Sequence, residues 1–376
     1  MKEYLSLPMD NFYCHLQERT NFHSGYPYNL NYDYSEILHL FQFSINNLCD
    51  PFIPSNYQID SREFEVEVLN FFAELYQCQN HWGYVTNSGT EGNLYGLLLG
   101  RESYPDGILY ASADSHYSIK KASHFFKIRY VKVKSQNNGE MDYEDFLNVL
   151  NPNYPAIINL NLGTTFKGAI DNIERILESL ETKKIRDFYI HCDGALGGML
   201  VPYLTPNHPI NFNLPIHSLA ISGHKFIGCP FPCGIVLTYQ TIVDQFSKHI
   251  EYIGSKDATI GGSRNGHAPI FLWYAIQKRK HLFAQEAKSS VSKANYLYNQ
   301  LEKAGLFCLL NPYSSTVVFP KPTDDIAQKW QLATLGNYAH VVLMQNHSQE
   351  IIDHLIDDLI DSNNSLQSCN RPLAKV

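Results

Sequence analysis

The sequence predicts an α/β fold: a mostly parallel central sheet with helices on both faces, followed by a smaller C-terminal α+β unit. Three observations predict it. Short apolar runs alternate with helical stretches between Trp82 and Tyr239. The layout changes after Gly305. Turn formers and chemically useful side chains follow several of the apolar runs, where open parallel sheets place their ligands.

Taken in order, residues 1–55 are rich in aromatics and turn formers (Gly25-Tyr26-Pro27, Asn29, Asn31, Asp33) and read as an extended N-terminal arm with short helices. Phe64, Val68, Leu69, Phe72, Ala73 and Tyr76 then recur with helical period. Trp82–Thr86 reads as a strand, Asn87–Gly92 as a turn and Asn93–Glu102 as a helix. Further strands are expected over Ile108–Ala111, Ile128–Lys134, Ala156–Leu162, Phe188–Cys192, Leu219–Ser222 and Gly234–Tyr239, with a helix near Ile173–Glu181.

A long helical pattern covers Ile270–Lys303. Thr316–Pro320 and His340–Met344 read as strands, Asp324–Leu332 and Gln349–Ile360 as helices. The expected division is an arm (1–55), a large domain (56–290), a small C-terminal domain (291–362) and a flexible tail (363–376), whose Ser- and Asn-rich composition suits fraying.

At 376 residues, with 44% hydrophobic and 18% charged residues, the chain reads as a folded protein with more than one domain. Net charge is −8 and pI about 6.0, with no Lys/Arg run, which argues against a nucleic-acid partner. The N-terminus lacks the apolar core of a signal peptide, and no run is long enough for a membrane span. The eight cysteines are scattered, and Cys229 and Cys233 have no second Cys/His pair at zinc-ligand spacing. The expectation is a reduced, cytoplasmic protein without a metal.

Lys225 and Asp193 carry the most chemistry. Lys225 lies in Ser222-Gly223-His224-Lys225 after one apolar run; Asp193 lies in His191-Cys192-Asp193-Gly194-Ala195 at the end of another. Facing each other across one pocket, they suit pyridoxal phosphate (PLP): a lysine forms an imine with the aldehyde, and an aspartate holds a proton on the ring nitrogen. A surface lysine and a turn-capping aspartate are the plainer alternatives. Ser88-Gly89-Thr90 opens a helix after a strand, which makes a phosphate site or an ordinary capping turn. His116 is placed to stack on a cofactor ring, or is structural. Thr164, also at a strand end, could touch the ring or its phenolic oxygen. His224 could help hold the phosphate or simply cap its turn.

Together and in this order, Asn87-Ser88-Gly89-Thr90-Glu91-Gly92-Asn93, Asp114-Ser115-His116-Tyr117-Ser118, Asn161-Leu162-Gly163-Thr164-Thr165, His191-Cys192-Asp193-Gly194-Ala195 and Ser222-Gly223-His224-Lys225 resemble the group II PLP-dependent amino acid decarboxylases. The nearest resemblance is to the bacterial PLP-dependent histidine decarboxylases; plant serine decarboxylases share much of the pattern. The resemblance runs from about Gly25 to Leu359.

It implies the fold of the PLP-dependent transferases (aspartate aminotransferase-like, fold type I). It also implies decarboxylation of an L-amino acid, L-histidine to histamine before L-serine to ethanolamine, through a Lys225 Schiff base and a quinonoid intermediate. The implied catalytic residues are Lys225, His116 and Tyr252. The implied cofactor contacts are Ser88, Gly89, Thr90, His116, Thr164, Asp193, Ala195, Ser222, His224, Lys225 and Ser263. The implied substrate contacts are His116 and Tyr26, an apolar arm packed on the partner being the alternative for Tyr26. Ser263 and Tyr252 match positions that reach a neighbouring subunit's site, which implies a homodimer or larger homo-oligomer. An aminotransferase or desulfurase, and a non-catalytic scaffold of the same fold, are the competing readings.

Overall fold

A computed structural model describes residues 2–205 and 210–369. Its centre is a seven-stranded sheet ordered His81–Thr86, Gly234–Tyr239, Ser218–Ser222, Phe188–Asp193, Ala156–Asn161, Ile108–Ser112, Arg129–Val133. The last five strands of that order are mutually parallel, while Gly234–Tyr239 runs antiparallel to both its neighbours. The reason is the connection: segment 223–233 carries no helix, and a parallel crossover needs one or an equally long detour. The inner strands are buried along their whole length, as a sheet covered on both faces requires.

A second, four-stranded antiparallel sheet is ordered Leu309–Leu310, Thr316–Pro320, Tyr338–Val342, Ala333–Leu335. It has its own core, built from residues such as Leu297, Val317, Trp330, Val341 and Leu355. Helix Phe283–Lys303 serves both cores. Phe283 and Ala287 pack into the large one, Ala294, Leu297 and Leu301 into the small one. The expected boundary at 290/291 thus falls inside a continuous helix.

Three local expectations need correction. The first is the arm, which begins with a helix, Lys2–Asn21; the turn formers that suggested extended chain all lie after it, and Pro8 alone interrupts the segment. Met9, Phe12, Tyr13 and Leu16 form an exposed apolar stripe at helical spacing. The second is the single long helix, which is two, His267–Arg279 and Phe283–Lys303. Arg279 lies at the break, donating to the Ile227 carbonyl at 2.6 Å and to Glu286 at 3.0 Å.

The third is the flexible tail. Helix Gln349–Cys369 continues through it to residue 369, and the remainder, 370–376, lies outside the described residues. Ser362, just before the expected start, accepts from the Thr323 N–H at 2.8 Å and ties this helix to the small domain.

Candidate active site

The carboxyl ends of the parallel strands, the arm and the small domain enclose a cavity of about 460 Å³. Of the expected site residues, Tyr26, Ser88, Gly89, Thr90, His116, Thr164, Asp193, Ala195, Ser222, His224 and Lys225 line it. Tyr252 and Ser263 do not.

Phosphate chemistry is available at the helix Gly89–Ser103. Ser88 caps it, its hydroxyl accepting from the Glu91 N–H at 3.3 Å and its carbonyl from Gly92 N at 3.2 Å. The Gly89 and Thr90 N–H groups have no acceptor among the described residues, and the helix dipole adds positive potential there. A Cβ on Gly89 would overlap the Ser222 hydroxyl, so glycine is what lets the two segments close around a small anion.

Asp193 ends its strand buried. Its Oδ1 accepts from Ala195 N at 3.1 Å and its Oδ2 from Asn93 Nδ2 at 2.7 Å. Lys225 follows its strand by three residues. Burial holds its ammonium below the usual lysine range, against the opposing pull of Asp193. Its backbone is gripped from afar: Lys225 O accepts from Asn29 N at 3.1 Å, and Phe226 O accepts from Asn29 Nδ2 at 3.1 Å and from Gln345 Nε2 at 3.0 Å.

His116 caps the helix Tyr117–Phe125, and burial lowers its pKa, with Asp193 pulling the other way. His224 Nδ1 lies 2.7 Å from Cys233 O, so the turn-capping role is real, and its ring packs against Tyr28 at 5.6 Å. Thr164 is likewise committed to its own loop: its hydroxyl accepts from Ala169 N at 3.0 Å.

Tyr252 sits at the tip between the antiparallel strands Lys248–Ile250 and Ser255–Asp257 and is 84% exposed. Ser263 is exposed on a strand paired with Asn46–Leu48. The next residue, Arg264, is buried and bonded to Glu65 and to the Cys49 carbonyl, which sets Ser263 facing outward.

Several lining residues carried no clear sequence signal. Asn93 lies on the small-residue face Gly89, Gly92, Gly96 and Gly100 of its helix, and a polar residue on that stripe is the clue that could have found it. His340, on the strand Tyr338–Val342, has its ring nitrogens 2.8 Å from Phe166 O and 3.0 Å from Gly25 O, fastening the arm to both sheets. Nothing local in the sequence marks it.

These residues fit PLP: an anion cradle at Ser88, Gly89, Thr90 and Ser222, and a carboxylate, an amine and the His116 ring lining one cavity. Among the described residues there is no metal-binding group of His, Cys, Asp and Glu, and no helix long and apolar enough to cross a membrane.

Residues 60–320 match the model of the pyridoxal-dependent decarboxylase conserved domain. Serine decarboxylase 1 of Oryza sativa subsp. japonica is 49% identical over 92% of this chain and 73% of its own. Histidine decarboxylase of Morganella morganii is 41% identical over 94% of this chain and 95% of its own. Among solved structures, L-methionine decarboxylase from Streptomyces sp.590, in complex with L-methionine methyl ester, superposes with a TM-score of 0.84 at 25% identity, covering 94% of each chain.

Proposed function

The chain belongs to the pyridoxal-dependent decarboxylase family, and we propose that it converts L-histidine to histamine and CO2, with L-serine as the alternative substrate. It is a PLP-dependent amino acid decarboxylase of fold type I. The choice of histidine rests on the outer wall of the cavity, where the arm, the large domain and the small domain contribute Tyr26, Tyr28, Phe166, Tyr313 and His340. Such rings suit a flat imidazole better than a hydroxymethyl group. The near full-length match to a histidine decarboxylase supports the same choice. The higher identity to a serine decarboxylase keeps serine in view.

PLP supplies an aldehyde for an amine to join and a cationic ring that takes up the electron pair left when CO2 departs. Asp193, pinned by Asn93 and Ala195, presents a fixed carboxylate to hold the proton on the ring nitrogen. Lys225, whose charged form is disfavoured by burial, offers an amine for that aldehyde. The Gly89 and Thr90 amides and the Ser88 and Ser222 hydroxyls would hold the phosphate, and His116 would stack on the ring.

Lys225 is the sole Lys or Arg among the described lining residues. A substrate carboxylate therefore meets no guanidinium to stabilise it, and its loss relieves the burial of an unpaired charge. An aminotransferase, which must retain that carboxylate, gains nothing from such a pocket. Tyr252 of the neighbouring subunit would supply the proton that takes the place of the lost carboxylate, and Ser263 of that subunit would reach the cofactor. The working unit is a homodimer, with arm 1–55, large domain 56–290 and small domain 291–362 closing each site.

Purified protein, loaded with PLP, is supplied separately with L-histidine and L-serine, and CO2, histamine and ethanolamine are measured. Histamine formation is expected. Ethanolamine with no histamine overturns the substrate assignment and leaves the reaction class standing; product without CO2 overturns the reaction class.

A further inference from the structure

Behind Asp193 runs a line of hydrogen bonds whose directions can be worked out atom by atom. A carboxylate only accepts, so Asn93 Nδ2, 2.7 Å from Asp193 Oδ2, donates to it. The other hydrogen of the same amide goes to Ser118 Oγ at 3.0 Å. Ser118 Oγ, having accepted, points its own hydrogen at His116 Nδ1, 2.8 Å away. The Ser118 backbone N–H faces the same nitrogen at 3.3 Å. A ring nitrogen met by two donors must present its lone pair, so the His116 proton sits on Nε2.

The far side of the amide is fixed just as firmly. Asn93 Oδ1 accepts from His191 Nε2 at 3.0 Å, and His191 Nδ1 accepts from Ser218 Oγ at 2.8 Å. Burial pushes the pKa of His191 down to about 4, so this ring stays neutral and its Nε2 keeps the single proton it donates. Asn93 therefore has one orientation. Turning it over would set its NH2 against His191 N–H and its oxygen against the Asp193 carboxylate.

We propose that Asn93 and Ser118 are positioning residues that lock His116 as the neutral Nε2–H tautomer and bind it to the carboxylate of Asp193. This rests on the assignment of the cavity as a PLP site, in which His116 would stack on the ring and Asp193 would hold the proton on the ring nitrogen. Two consequences follow. His116 enters the reaction as a hydrogen-bond donor, not as a base. And His116 and Asp193 are set by one amide, so neither can be re-aimed alone.

The test reads the tautomer directly. Protein labelled with 15N-histidine is studied by long-range 1H–15N correlation without cofactor at neutral pH, and His116 is assigned by the signals lost in His116→Gln. The expected spectrum has an unprotonated Nδ1 and a protonated Nε2. Ser118→Ala, which leaves Asn93 on Asp193, should shift His116 to a tautomer mixture, and Ser118→Thr, which restores a hydroxyl, should return it. Asn93→Ala should also weaken PLP binding about tenfold or more, because a charge-assisted hydrogen bond to Asp193 is lost.

A His116 that is imidazolium or Nδ1–H in the parent protein overturns the proposal. So does a Ser118→Ala spectrum identical to the parent's. PLP binding by the parent, followed by its visible absorbance, separates the two layers. If the parent binds PLP while His116 has the wrong tautomer, only this inference falls. If it binds none, the assignment of the cavity falls whatever the spectrum shows.

Discussion

Replacing Gly96 by alanine probes the packing that supports Asp193. A Cβ there would overlap His191 Nδ1 and Cε1 and lie 2.9 Å from Cγ. The ring has little room to turn away, since Ser218 holds Nδ1 at 2.8 Å and Asn93 holds Nε2 at 3.0 Å. Overpacking of this kind costs about 1–3 kcal/mol. Loosening two buried hydrogen bonds adds about 1 kcal/mol each. The better helix propensity of alanine returns about 1 kcal/mol. The expected loss is therefore about 2–4 kcal/mol.

The assay is the urea midpoint at fixed protomer and cofactor concentration, since both shift apparent stability. His191→Ala makes room for the new methyl, so Gly96→Ala/His191→Ala should be less destabilised than the sum of the single changes, by about 1 kcal/mol or more. A parental midpoint for Gly96→Ala, or strict additivity in the double variant, refutes the reasoning.

Asp193→Asn should lower the rate of CO2 release at least about 100-fold, because a neutral amide no longer stabilises a protonated ring nitrogen; a rate within threefold of the parent would count against the proposed role. Mixing Lys225→Ala with Ser263→Ala chains should regain up to about a quarter of parental activity, through two-fold dimers that hold one intact site. No recovery, with exchange of subunits verified, removes Ser263 from the neighbour's site. Stability should fall as pH drops from 6.5 towards 4. Burial holds His191, His217 and His347 down to about 4, so only the unfolded chain takes up those protons, at about 3 kcal/mol per group across the window. Buried Asp171, raised to about 6, opposes this between pH 3.8 and 6, since the folded form keeps a proton the unfolded form releases. A urea midpoint unchanged between pH 7 and pH 5 contradicts that balance.

The strands of the large sheet were legible because most are apolar runs closed by a turn, and Gly234–Tyr239 and Thr316–Pro320 coincide with their expected limits; short polar strands such as Lys248–Ile250 and Ser255–Asp257 have no such run and were missed. The chemistry at their ends was legible because open α/β sheets put ligands there. The N-terminal helix was missed because its apolar face is exposed in the single chain and its signal is overshadowed by the turn formers after it. The break at 280–282 has no Gly or Pro to announce it and comes from the tertiary contacts of Arg279. Asn93 and His340 escaped notice for a related reason: their roles come from partners remote in sequence, Asp193 for one and Gly25 and Phe166 for the other.

The peptide that follows Lys225 depends on Asn29, Arg279 and Gln345. During synthesis the first of these emerges early, whereas the last follows Lys225 by 120 residues. A nascent chain can lay down much of its sheet, yet the loop that carries Lys225 stays unbraced until Gln345 has been made. A ribosome-stalled fragment ending before Gln345 should therefore capture the coenzyme poorly.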